Sequence, residues 1–170
     1  SLGVALGIFM ESETELMDMD LTEKMNSDVL KNTLNQYLPS QTRVKEVIEI
    51  DRKAPSISQT IYWASYEASE ESPELSQYNF SDIETQIDNL LKQEELIITK
   101  KTKSKTKELD IKPFINAVYV QKTKPQKLYF TLRAGQEMNI KPDELLGIFS
   151  KTQNWRIKRL AFMDKDLQSL

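Results

Sequence analysis

The order of helix-like and strand-like periods constrains this chain more than any other feature. Ile83, Ile87, Leu90 and Leu91 recur at helical spacing, and Leu145, Leu146, Ile148 and Phe149 mark a second helix. Runs that read as strands surround them: Ile61 to Ala68, Leu96 to Thr99, Ala117 to Gln121, Lys127 to Arg133 and Trp155 to Phe162. Ser81 and Glu84 form a capping box before the first helix. Pro142 suits the first position of the second, with Asp143 and Glu144 favourable to its dipole. Lys124, Pro125 and Gln126 supply the turn between two of the strands. The order is β-α-β-β-α-β, with extra material around a lysine run, which is the split βαβ order of ferredoxin-like folds. The predicted class is α+β, with residues 56–170 forming one complete ferredoxin-like unit.

Residues 1–55 supply only β-β-α-β, an incomplete unit of the same kind. Its first strands read as a hairpin, because Met17, Met19 and Leu21 alternate with Asp18 and Asp20. Leu30, Leu34, Tyr37 and Leu38 give a helix face, with Asn26, Ser27 and Asp28 as capping residues and Pro39 as the stop. Val44 to Ile50 is the next expected strand, and Lys53 to Ser56 connects the two units, since Pro55 is unsuited to a central strand. The apolar start, SLGVALGIFM, reads as a strand entered near its beginning. An opening strand and helix before Ser1 would complete the pattern.

Composition limits the chemistry. The chain has no cysteine and no histidine, which removes thiolate ligands, disulfides and the usual proton shuttle near neutral pH. No cofactor is expected and no metal, although carboxylate sites for Mg²⁺ stay open in principle. Glu11, Glu13, Glu15, Asp18 and Asp20 match no calcium-loop spacing and are expected to form a solvated hairpin face. No apolar run approaches the roughly 18 residues of a membrane span, and a cytoplasmic setting is expected. The net charge of −3 conceals a balance of −12 over residues 1–95 and +9 over residues 96–170. Such a split points to a basic surface for an anionic partner, or to two halves that neutralise one another.

The lysine run KKTKSKTK carries the sharper form of this question. In one extended strand Lys101, Lys103, Lys105 and Lys107 point to one side, at a spacing suited to tracking a phosphate backbone. Lys112, Arg133, Arg156 and Arg159 would support them, with Tyr119, Tyr129 or Trp155 available to stack on bases. The alternative is a sheet edge that lysines keep soluble. Leu132 to Gly135, followed by Asn139, Lys141 and Pro142, lacks the spacing of a P-loop and reads as a turn entering a helix.

Several of these segments together resemble the radical SAM-linked protein family, a bacterial domain of unknown function fused to, or encoded beside, a radical SAM protein. Gly7, Glu11, Ser12, Glu15, Asp18 and Leu21 look like its G…ES-x-x-E-x-x-D-x-x-L region. Lys53 to Ser56 is similar to its inter-unit connection, and Asp110, Ile111, Lys112, Pro113 and Ile115 to its D-I-R-P-x-I segment. Leu132, Gly135, Asn139, Lys141, Pro142 and Leu145 resemble its L…G…R-P-x-x-L segment, and Arg159 falls in a last strand of similar character. Lys112 and Lys141 stand where the family often has arginine, which weakens bidentate phosphate contact there. The family's N-terminal His-Leu-Asp and Pro-His-Pro motifs are absent from this sequence. The resemblance implies a radical SAM protein as partner and RNA as a target.

The expected function is a non-catalytic accessory module that presents an anionic substrate, RNA, to a radical SAM enzyme. The alternative is a protein-docking module that binds the radical SAM partner without nucleic acid. A small enzyme using carboxylates or lysine as base is a third reading, with no paired constellation to support it.

Overall fold

A computed structural model describes residues 2–70, 80–101, 106–121, 127–149 and 155–170. Along the chain they form β1 (Met10–Ser12), α1 (Ser27–Tyr37), α2 (Ile57–Thr60), β2 (Trp63–Glu70), α3 (Phe80–Lys92), β3 (Ile97–Lys101) and β4 (Thr106–Asp110). A 3₁₀ turn (Lys112–Phe114), β5 (Ile115–Gln121), β6 (Lys127–Arg133), α4 (Pro142–Phe149) and β7 (Trp155–Met163) complete them. The protein is α+β. One sheet has five strands in the order β1-β7-β2-β6-β5, and β3 pairs with β4 in a separate two-stranded ribbon. Every pairing in the large sheet is antiparallel except β1 with β7.

The period-two pattern of the central strands sorts the core. Ala64, Tyr66 and Ala68 of β2 stand in register with Leu132, Phe130 and Leu128 of β6, and all six are buried. Ile83, Ile87 and Leu90 of α3 and Leu145, Leu146 and Phe149 of α4 join them in the same apolar cluster. Burying these rows is the main driving force for the fold. The stacked rings of Tyr66 and Phe130, 5.5 Å apart, lie at its centre.

The first segment departs from the expected hairpin. Residues 17–21 form no strand, although Met17 makes an isolated antiparallel bridge with Leu2 and Gly3 N–H donates to the Leu16 carbonyl. The only strand in this stretch is β1, and it joins the edge of the large sheet beside β7. Val44 to Ile50 is likewise not a strand, and Ile48 and Ile50 are exposed. Alternation marks a segment fit to be half-buried, but a ladder also needs a partner strand. α1 forms as expected, with the Asn26 side chain accepting from the Asp28 and Val29 N–H groups, yet buries none of its residues. Its apolar face is therefore not a core face.

Two further expectations are corrected. The strand expected over Ile61 to Ala68 begins at Trp63 and runs on to Glu70 as β2. α3 begins at Phe80, so Ser81 stands in its first turn and not at the cap.

Candidate nucleic-acid interface

The lysine run is not one strand. Lys101 closes β3 and Lys107 lies in β4, with Lys101 opposite Thr106 and Lys100 opposite Lys107. Lys103 and Lys105 lie outside the described residues. Directly opposed residues of an antiparallel pair project to the same side, so Lys100 and Lys107 place two ammonium groups together, which is unfavourable. Lys100 is compensated: its Nζ lies 3.1 Å from Glu144 and donates to the Asn139 carbonyl. Lys107 has no hydrogen-bond or ion-pair partner among the described residues. Both line a cavity of about 290 Å3 with Leu109, Met138 and Asn139.

The other expected contacts serve the fold. Lys112 Nζ donates to the carbonyls of Leu90 and Leu91 at 2.8 Å each, satisfying the C-terminal end of α3. Its neighbour Asp110 accepts from the N–H groups of Leu96 and Lys112, and Ile111 is fully buried. The Asp-Ile-Lys-Pro motif is thus a joint between α3, β3 and β4. Lys112→Met is expected to lower stability by about 1 kcal/mol in a urea titration, through loss of a charged cap at a helix end. An unchanged unfolding midpoint would count against this role.

Arg133 is buried, lies 3.1 Å above the Tyr62 ring and donates to the carbonyls of Tyr62 and Ala134. Arg159 is only 2 % exposed; its guanidinium donates to Glu15 at 2.8 and 3.0 Å and to the carbonyls of Val4 and Ala5. It also lies over the Phe162 ring. Arg156 pairs with Glu11, and Lys158 with Glu13 at 3.3 Å. Glu11, Glu13 and Glu15, three of the five acidic residues expected to face solvent, are exposed and also paired with the basic strand β7, while Asp18 accepts from the Ile57 N–H. These three pairs offset part of the charge split between the halves of the chain. Trp155 is partly buried against the core, with its ring nitrogen buried.

The second face of the large sheet holds what sequence reasoning assembled only in part. Tyr119, Tyr129, Glu67 and Lys158 stand in one cross-strand row. Tyr129 stacks on Tyr119 with ring centroids 5.5 Å apart and donates to Glu67 at 2.7 Å, while Lys127 donates to the other Glu67 oxygen at 2.8 Å. Burial and the bond to Glu67 push the Tyr129 phenol up to about 12. Burial alone would raise the Glu67 carboxyl, but the bonds from Lys127 and Tyr129 and the charges of Lys127 and Lys158 outweigh it and leave it lowered. Near neutral pH the phenol therefore stays a donor and the carboxylate stays charged. Trp63, missed earlier, lies on this same face opposite Arg133 and Met163. The period of β2 already put it two residues from Ser65 and four from Glu67, which was the usable signal.

Among the described residues no group of three or more Asp, Glu, His or Cys is arranged to hold a metal ion. No helix among them is long and apolar enough to cross a membrane.

The fold and these surfaces define an α+β protein in which the Asp110 to Pro113 segment and Arg159 build structure. Over residues 1–142 the chain matches the family model described as "Uncharacterized protein conserved in bacteria (DUF2344)", and it belongs to that family. No curated protein and no solved structure matches it.

Proposed function

We propose that this chain is a non-catalytic accessory module that binds RNA through the lysines of its β3–β4 ribbon and serves a radical SAM partner. The observation that carries the reading is the opposition of Lys100 and Lys107, with Lys107 left without a partner among the described residues. Glu144 already neutralises Lys100, so Lys107 is the ammonium group that a bound polyanion would pair with. Lys101 extends the same ribbon, and Lys103 and Lys105 belong to the same run of sequence. Lys112, Arg133, Arg156 and Arg159 are withdrawn from the proposed contacts, because each is engaged within the fold. The proposed architecture for residues 56–170 is ferredoxin-like, supported by the antiparallel strand order β7-β2-β6-β5 with α3 and α4 in the crossovers. The β3–β4 ribbon is then an insertion in that unit.

A salt titration of RNA binding tests the reading. The triple variant Lys103→Glu/Lys105→Glu/Lys107→Glu is expected to bind at least about tenfold more weakly at low salt, with a shallower salt slope and no sequence preference in the loss. No measurable wild-type affinity at low salt, or a flat salt dependence, would sink it.

A second reading, docking onto the radical SAM partner without nucleic acid, is favoured by one observation. Phe9 is 97 % exposed at φ 64°, beside Ile8, which is 85 % exposed. An exposed aromatic held in a left-handed conformation suits a protein contact. Co-purification with the partner in nuclease-treated, high-salt buffer, lost in Phe9→Ser, would support this alternative.

A further inference from the structure

The sheet face away from the apolar core contains a trough that the lysine ribbon does not explain. Ala117, Thr131, Ser65 and Ala161 are directly paired in sequence across β5, β6, β2 and β7, so small side chains form a continuous floor over four strands. At ordinary strand spacing that floor is about 14 Å long. The row Tyr119, Tyr129, Glu67 and Lys158 walls one side, and Trp63 with Met163 stands on the other. Each floor residue is partly accessible, as are Tyr129 and Trp63.

The Tyr119 ring is the distinctive part. It is 56 % exposed, nearly parallel to Tyr129 (15° between planes), and its hydroxyl has no partner among the described residues. Tyr129 beneath it is fixed by Glu67, and Glu67 by Lys127. The platform is therefore held in place before any ligand arrives, which reduces the ordering cost of binding. A flat ring can extend this stack on its open side.

We propose that this trough and its β5 edge seat unpaired nucleobases, with the open face of Tyr119 at that edge as the stacking surface, so that the module selects single-stranded over duplex RNA. The proposal rests on the RNA reading above and names the form of RNA recognised. Bases inside a duplex are already stacked and cannot lie on the platform.

The test compares wild type, Tyr119→Ala, Tyr119→Phe and the triple lysine variant, each against one labelled RNA as a single strand and as a duplex. Tyr119→Ala should weaken single-strand binding about tenfold, leaving duplex binding and the salt slope unchanged. Tyr119→Phe should keep wild-type affinity, because stacking needs the ring and not the hydroxyl. Single-strand binding by Tyr119→Ala equal to wild type, alongside a loss in the lysine variant, would overturn the trough and leave the ribbon reading standing. Absence of RNA binding by wild type would remove both. Loss of binding to the radical SAM partner in Tyr119→Ala, with RNA binding intact, would overturn the proposal and make this face a protein surface.

Discussion

Replacing Arg159 with Ala is expected to cost about 3 kcal/mol of stability, the largest effect of any charged residue among the described residues. The side chain is buried against Phe162 and Tyr66 while its donors hold Glu15 and the carbonyls of Val4 and Ala5. Removing it leaves a cavity and strips several acceptors of their partner at once. Glu15 is 38 % exposed, so water can reach its carboxylate, which keeps the loss at the lower end of what a broken buried pair costs. For a chain of this size the melting temperature should fall by roughly 6–12 °C. Lys158→Ala is the control: its pair with Glu13 is more exposed, at 33 % and 54 %, and should be worth no more than about 0.5 kcal/mol. If the two variants melt together, Arg159 is not a structural clasp. The same contacts explain why loss of RNA binding in an Arg159 variant would say nothing about RNA contact.

Gly135→Ala should be comparably damaging, at about 3 kcal/mol, for a different reason. Gly135 has φ 120°, where side chains are strongly disfavoured, and an added Cβ would lie 2.5 Å from the Ile61 carbonyl oxygen. That oxygen belongs to the backbone and has little room to move. Gly147→Ala, within α4 and with nothing within 4 Å of its added Cβ, should instead be neutral or slightly stabilising. Urea unfolding of the two variants side by side separates the backbone requirement from a general intolerance of alanine. An unchanged midpoint for Gly135→Ala would mean that the turn relaxes.

The sequence was most legible where period and packing coincide. Lys127 to Arg133 reads as a strand because its alternate residues Leu128, Phe130 and Leu132 are all fully or almost fully buried. Met17 to Leu21 and Val44 to Ile50 carry similar alternation without becoming strands, since the partner that would pair with them is a matter of distant sequence. β4 was hidden for the opposite reason: the alternating lysines from Lys101 to Lys107 suggested one long strand, whereas Lys101 and Lys107 belong to two paired strands. The candidate site divided in the same way. Basic residues were easy to see, but whether Lys112 meets solvent or the last carbonyls of α3 depends on where α3 ends in space. The Tyr119 and Tyr129 platform was half-visible, as two aromatics on adjacent strands. Its floor depended on the registers of three strand pairs, which no local pattern specifies.

The parallel pairing of β1 with β7 also sets an order of events during folding. Glu11 and Arg156 meet at a sequence separation of 145, so this edge has one of the longest loops to close. On a ribosome β1 emerges early and must wait, unpaired and beside the exposed Ile8 and Phe9, until β7 is made. Glu11 in the strand, with Glu13 and Glu15 just after it, keeps this edge charged and so poorly suited to pairing with other copies of itself. Residues that lock the finished edge thus also protect the unfinished chain.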